Sequence, residues 1–146
     1  MKKLLGIVVL GLLFCNIALA KNCTEKDEQY AREDSELYGD KRTFTAEEAY
    51  NAGQSILDIF KAKDLKKLVS MFDGELKEGP PLSYFKNKTF DEAFQQDFQD
   101  LIINSKPKCN LGDSNYGFYL AKGLIWFDKS KNNKWVIRKI NYKLEE

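Results

Sequence analysis

The spacing of apolar residues changes character once along this chain, and that change limits the fold more than any other feature. From Thr45 to Ile102 apolar residues recur at helical intervals, whereas from Tyr116 to Tyr142 they come in short aromatic-rich runs suited to strands. Helices followed by strands, without alternation, predict an α+β fold, with helices packed on an antiparallel sheet that ends in a C-terminal three-stranded meander.

Local signals set the expected elements. Thr45-Ala46-Glu47-Glu48 is a capping box, in which the threonine hydroxyl and the Glu48 carboxylate satisfy each other's free backbone donors. A helix through Lys61 follows, with Ala49, Tyr50, Gly53, Ile56, Leu57 and Phe60 on one side. Asp64 caps a second, short helix bearing Leu65, Leu68, Val69 and Phe72, ended by Gly74. Asp73 to Pro81 reads as a loop and Leu82 to Phe85 as a short extended piece. Thr89-Phe90-Asp91-Glu92 opens a third helix whose Phe90, Phe94, Phe98, Leu101 and Ile102 share a face, predicted to be core. Lys106-Pro107 stops it. Three strands are then expected at Tyr116 to Ala121, Leu124 to Asp128 and Lys134 to Tyr142, joined by a tight Lys122-Gly123 hairpin and a polar turn over Lys129 to Asn133.

Residues 1–20, MKKLLGIVVLGLLFCNIALA, place two lysines before an apolar run and close on Ala18-Leu19-Ala20, the pattern of a cleaved export signal. An uncleaved anchor needs roughly 20 apolar residues, more than this run supplies. Lipidation at Cys15 needs small residues where Leu12, Leu13 and Phe14 stand. Cleavage leaves 126 of the 146 residues, enough for one domain over 44–146, preceded by a charged segment, 21–43. Twelve of those 23 segment residues are charged, and Tyr30, Leu37 and Tyr38 offer only a thin stripe, so a flexible tail and a loosely docked helix are both open. Past the signal only Cys23 and Cys109 remain. In an oxidising compartment they are expected to pair, the alternatives being free thiols or a bond between molecules.

There is no histidine, which removes Ser-His-Asp and Cys-His catalysis and ordinary histidine zinc sites. No cofactor or metal is expected. Asp73, Glu75 and Glu78 in the loop read as solvated charge rather than as calcium ligands; Asp91 and Glu92 read as helix-start acids, and Asp97 and Asp100 as exposed. Two of the 23 basic residues fall in the leader, leaving 21 against 22 acidic ones, a net charge of −1 that gives no bulk attraction to nucleic acid. The charge is uneven. Lys122, Lys129, Lys131, Lys134, Arg138, Lys139 and Lys143 oppose Asp128 alone, so the sheet segment carries +6. A basic sheet face of Lys122, Lys129, Lys131, Lys134, Arg138 and Lys139 suits an anionic envelope partner, though lysines also guard strands against edge pairing.

The Lys63-Asp64 corner followed by Leu65-Lys66-Lys67-Leu68, and the meander with Gly123-Leu124-Ile125-Trp126-Phe127 and Trp135-Val136-Ile137, resemble the nuclear transport factor 2-like superfamily and small exported bacterial proteins of unknown function. That resemblance implies a cone-shaped domain open to binding or to isomerase-like and dehydratase-like chemistry. Tyr50, Tyr84, Trp126 and Trp135 are the candidate pocket residues. The expected function is that of a soluble periplasmic binding or accessory protein for a small apolar ligand or an envelope partner, with no stable membrane span after signal cleavage. The alternatives are a small isomerase-like or dehydratase-like enzyme acting on an apolar substrate and an envelope interaction protein.

Overall fold

The computed structural model describes residues 22–37, 44–109 and 117–143. The leader with its Ala20 boundary, Tyr38 and Tyr116 lie outside the described residues. The elements are α1 (Glu25–Leu37), α2 (Ala46–Ala62), α3 (Leu65–Ser70), a 3-10 turn (Leu82–Phe85), α4 (Phe90–Ala93), α5 (Gln96–Ile103), β1 (Phe118–Leu120), β2 (Ile125–Lys129) and β3 (Trp135–Ile140). The α+β class and the C-terminal meander are as the sequence predicts.

α2 starts at the capping box: the Thr45 hydroxyl accepts from the Glu48 N–H at 3.1 Å and the Glu48 carboxylate from the Thr45 N–H at 2.9 Å. It ends where Lys63 turns left-handed (φ 51°), and the Asp64 carboxylate then caps α3 by accepting from the Lys67 N–H at 2.9 Å. Its apolar face carries Ala49, Ala52, Ile56, Ile59 and Phe60 into the core. Gly53 lets this helix come close to its neighbours, because a Cβ there would stand 3.1 Å from Pro107 and 3.2 Å from Phe127. Phe60 sits among the rings of Phe90, Phe94 and Phe98 at 5.1, 5.5 and 6.4 Å. Full burial of each such side chain contributes about 1.5–3 kcal/mol.

The expected single third helix is instead two. Phe94 (φ −136°, ψ 128°) and Gln95 (ψ 151°) are extended, which separates α4 from α5. Tertiary contacts replace the lost helical bonds. The Gln99 side-chain amide donates to the Phe94 carbonyl at 2.7 Å, and the Gln95 N–H donates to the Tyr142 hydroxyl at 3.0 Å. The break lets Phe94 pack against Phe60, Phe85, Phe98 and Tyr142 at once. It also rotates α5, so Leu101 leaves the predicted core face and is 60% exposed while Ile102 is buried.

The three strands pair antiparallel in the order β1-β2-β3. Phe118, Leu120, Ile125, Phe127, Ile137 and Ile140 are buried, while Tyr119, Trp126 and Lys139 are only partly so. A register shift after Trp126 pairs Trp126 with Lys139 and Phe127 with Ile137, leaving Arg138 as the bulged residue. Two connections differ from expectation. The Asp73 to Pro81 loop runs beside β3: the Ile137 N–H donates to the Met71 carbonyl, the Lys77 N–H to Arg138 and the Ile140 N–H to Glu78, at 2.8, 2.8 and 3.1 Å. It therefore covers backbone that an edge strand would expose. Leu82 to Phe85 is a 3-10 turn rather than an extended piece, begun by Pro81, whose carbonyl accepts from the Tyr84 N–H at 2.9 Å.

The start of the charged segment is a docked helix. Cys23 and Cys109 form a disulfide across 86 residues, and Ala31 and Ala46 are buried beside it with Phe44 and Tyr50. The apolar anchor on α1 is Ala31 rather than Tyr30, which stays exposed. Among the described residues no helix is long and apolar enough to cross a membrane.

Candidate ligand groove

The four aromatic candidates go to four different places. Tyr50 belongs to the small cluster under α1. Tyr84 packs beside Phe85 and donates its hydroxyl to the Ala93 carbonyl at 3.0 Å; burial, with Tyr142 nearby, pushes its phenol above the ordinary value. Trp135 lies among Phe44, Phe118 and Phe127, with the Lys129 ammonium 5.8 Å from its ring centre. Of the four, Trp126 lines the open cleft described below.

The six cations of the expected basic face do not act as one surface. Lys129 is buried, with its ammonium 3.3 Å from the Glu48 carboxylate. Arg138 meets Asp73 at 3.6 Å, and Lys139 pairs with Glu78. Lys122, Lys131 and Lys134 are exposed. The same pairing accounts for two of the three loop acids, and the third, Glu75, accepts from the Leu82 N–H at 2.8 Å. Among the described residues no group of three acid or cysteine side chains could hold a metal ion.

Of the two helix-start acids Glu92 caps its helix, whereas Asp91 is held by side chains. Hydrogen bonds from Lys63 and Gln99 hold the Asp91 carboxyl below its ordinary value, and the Thr89 backbone N–H and hydroxyl do the same for Glu92. Lowered carboxyls are poor proton donors near neutral pH.

The cleft around Trp126 has a volume of about 1120 Å³ and is open to solvent. One wall is the outward face of α5, with Asp97, Asp100, Leu101 and Asn104. Its end is the segment after α5, with Ser105, Lys106 and Lys108. The other wall is the β1–β2 hairpin, with Tyr119, Trp126 and the turn Ala121-Lys122-Gly123. Tyr119 and Trp126 are direct cross-strand partners, so their rings meet at 5.1 Å with a tilt of 49°. The Lys108 ammonium lies 5.7 Å from the Tyr119 ring centre.

The turn itself is unusual. A four-residue link replaces the expected tight hairpin, and Ala121, Lys122 and Gly123 are all left-handed, with φ of 48°, 56° and 93°. Gly123 packs beside the indole, where a Cβ would stand at an ordinary contact distance of 3.4 Å, so it is the positive φ rather than space that favours glycine there. Asn141 holds the turn from below: its side-chain amide donates to the Gly123 carbonyl at 2.6 Å and its N–H to the Leu124 carbonyl at 2.8 Å. A backbone held in a sparsely populated region by surrounding bonds is characteristic of ligand-facing segments.

Trp126 was legible as a pocket candidate; Leu101, Tyr119, Asp97 and Asp100 were not. The signal for Leu101 would have been the helix break at Phe94, which no local propensity marks. Neither a family model, nor a curated protein, nor a solved structure matches the chain.

Proposed function

We propose that this chain is an exported, disulfide-stabilised binding protein whose ligand lies in the cleft between α5 and the β1–β2 hairpin, and that it works by recognition rather than catalysis. The observation that carries the reading is an open cleft lined by the paired rings of Tyr119 and Trp126 and by the exposed Leu101. A concave cleft lined by aromatic and apolar side chains beside convergent polar groups is the usual form of a ligand site. The leader ending on Ala18-Leu19-Ala20 and the Cys23–Cys109 bond both suit the bacterial periplasm. The Lys63-Asp64 corner and the meander keep the nuclear transport factor 2-like superfamily as the proposed relationship for the fold.

The isomerase-like alternative needs a desolvated acid beside a tyrosine. Tyr84 has its hydroxyl engaged by a backbone carbonyl, and the carboxyls with shifted titration move down rather than up. An envelope contact through the basic sheet is weakened as a reading by the ion pairs of Lys129, Arg138 and Lys139.

The test is two-dimensional amide NMR of residues 21–146 against mixtures of small sugars, peptides and fatty acids. Shifts confined to Leu101, Tyr119, Lys122 and Trp126 are expected. Binding that shifts only residues around Tyr50 or Tyr84 would overturn the assignment of the cleft.

A further inference from the structure

Resting on that reading of the cleft, we infer that its ligand is an acidic oligosaccharide, a chain of sugar rings bearing carboxylates. Three features of the cleft converge on this chemistry.

The first is the aromatic shelf. Tyr119 and Trp126 both line the cleft with their rings in contact, and the flat apolar C–H face of a sugar ring complements an aromatic surface. The second is the opposite wall, where Asp97 and Asp100 are exposed. Their hydrogen bonds lie within their own helix: Asp97 accepts from the Phe98 N–H and Asp100 from the Gln96 amide, both at 2.8 Å. Each carboxylate keeps further lone pairs for hydroxyl donors. An apolar ligand such as a fatty acid supplies no such donors.

The third is the cationic end. Lys106, Lys108 and Lys122 line the cleft and are exposed. Among the described residues no carboxylate stands within ion-pair distance of them. A ligand with hydroxyls toward Asp97 and Asp100 and carboxylates toward Lys106, Lys108 and Lys122 matches both sets of charges at once. The openness of the cleft also favours an elongated chain, because a small apolar molecule gains affinity mainly from enclosure.

The experiment titrates residues 21–146 with four probes by calorimetry: tetragalacturonate, neutral maltotetraose, dodecanoate and a tetra-aspartate peptide. Tetragalacturonate is expected to bind, maltotetraose more weakly, and the other two not at all. Leu101→Glu, at a solvent-facing position that tolerates polar residues, is expected to weaken tetragalacturonate binding about tenfold without changing the unfolding midpoint. Lys108→Gln and Lys122→Gln are each expected to weaken it about threefold and to reduce its salt dependence, leaving maltotetraose unchanged. Trp126→Ala is expected to abolish both. Should dodecanoate or tetra-aspartate bind instead, with sensitivity to Leu101→Glu, the cleft stands and the saccharide assignment falls. Should tetragalacturonate bind with no sensitivity to Leu101→Glu or the lysine variants, both the ligand site and the assignment are wrong. If no probe binds, the acidic oligosaccharide is rejected, and the amide NMR mixtures then decide the cleft on their own.

Discussion

The carboxylate of Glu28 accepts hydrogen bonds from the backbone N–H groups of Ala46 and Glu47 at 2.8 and 3.2 Å, so a residue of α1 satisfies donors at the first turn of α2. Glu47 returns the contact, accepting from the Asn22 and Cys23 N–H groups at 2.9 and 3.0 Å. Each segment thus supplies the anion that the other's chain start needs, and this exchange docks a helix that has little apolar surface to bury.

Glu28→Gln keeps an acceptor but removes the charge, and Glu28→Ala removes both. The expected losses are about 0.5 kcal/mol for the first and about 1 kcal/mol for the second. Urea unfolding of the two variants checks the order. Equal losses would mean that charge at the α2 start is irrelevant.

The Cys23–Cys109 bond spans 86 residues, for which loop-closure entropy alone sets an upper limit of about 4–5 kcal/mol. A smaller effect is expected. Among the described residues Cys23 anchors an element joined to the rest by the Glu28 and Glu47 bonds and by Ala31, so reduction should release α1 before the core yields. Hydrogen exchange on the reduced protein should show loss of protection over Glu25–Leu37 with α2 still protected. Simultaneous loss in both helices would show that the bond holds the core directly.

Phe94 and Leu101 belong to one predicted helical stripe but have opposite fates. Phe94→Ala empties the centre of the phenylalanine cluster and should cost about 3–5 kcal/mol, whereas Leu101→Asn should fall within about 0.5 kcal/mol of the parent. Thermal or urea midpoints of the two variants decide it.

That contrast shows what the sequence could and could not convey. Thr45, Glu48, Asp64, Thr89 and Glu92 announce their helix starts because a cap is a contact between near neighbours. The strand order was legible for the same reason, with short links between successive aromatic runs. The break at Phe94 depends on Gln99 and Tyr142, the latter 47 residues beyond the Gln95 N–H that it receives. The ion pairs of Arg138 with Asp73 and of Lys139 with Glu78 depend on the loop running beside β3. Charge counting along the chain saw a basic face there because it could not see the partners.

Asp91 offers a test in pH. Its bonds to Lys63, at 2.6 Å, and to Gln99 favour the carboxylate, so its folded-state value lies below the ordinary 3.8. The unfolded chain then binds the proton more readily. The stabilisation is complete above 3.8 and is lost as pH falls through the lower folded value. Asp91→Asn should flatten the decline of the urea midpoint with pH below 3.8 while leaving the profile near neutrality parallel to that of the parent. An unchanged acid limb would assign the decline to other carboxylates.

Lys122 sets stability against recognition at a single position. Its backbone is left-handed (φ 56°) between Ala121 and Gly123, a conformation that costs a residue with a Cβ about 1–2 kcal/mol relative to the right-handed region. Glycine removes that strain but widens the choices of the unfolded chain, so Lys122→Gly should be stabilising by no more than about 1 kcal/mol. Its exposed side chain lines the cleft, and losing the ammonium should weaken tetragalacturonate binding as Lys122→Gln does. Stability should therefore rise as affinity falls, a pairing expected where strain is kept for function. Urea midpoints and calorimetric titration on the same preparation measure both. A variant that gained stability and kept its affinity would make the left-handed turn a feature of the fold alone.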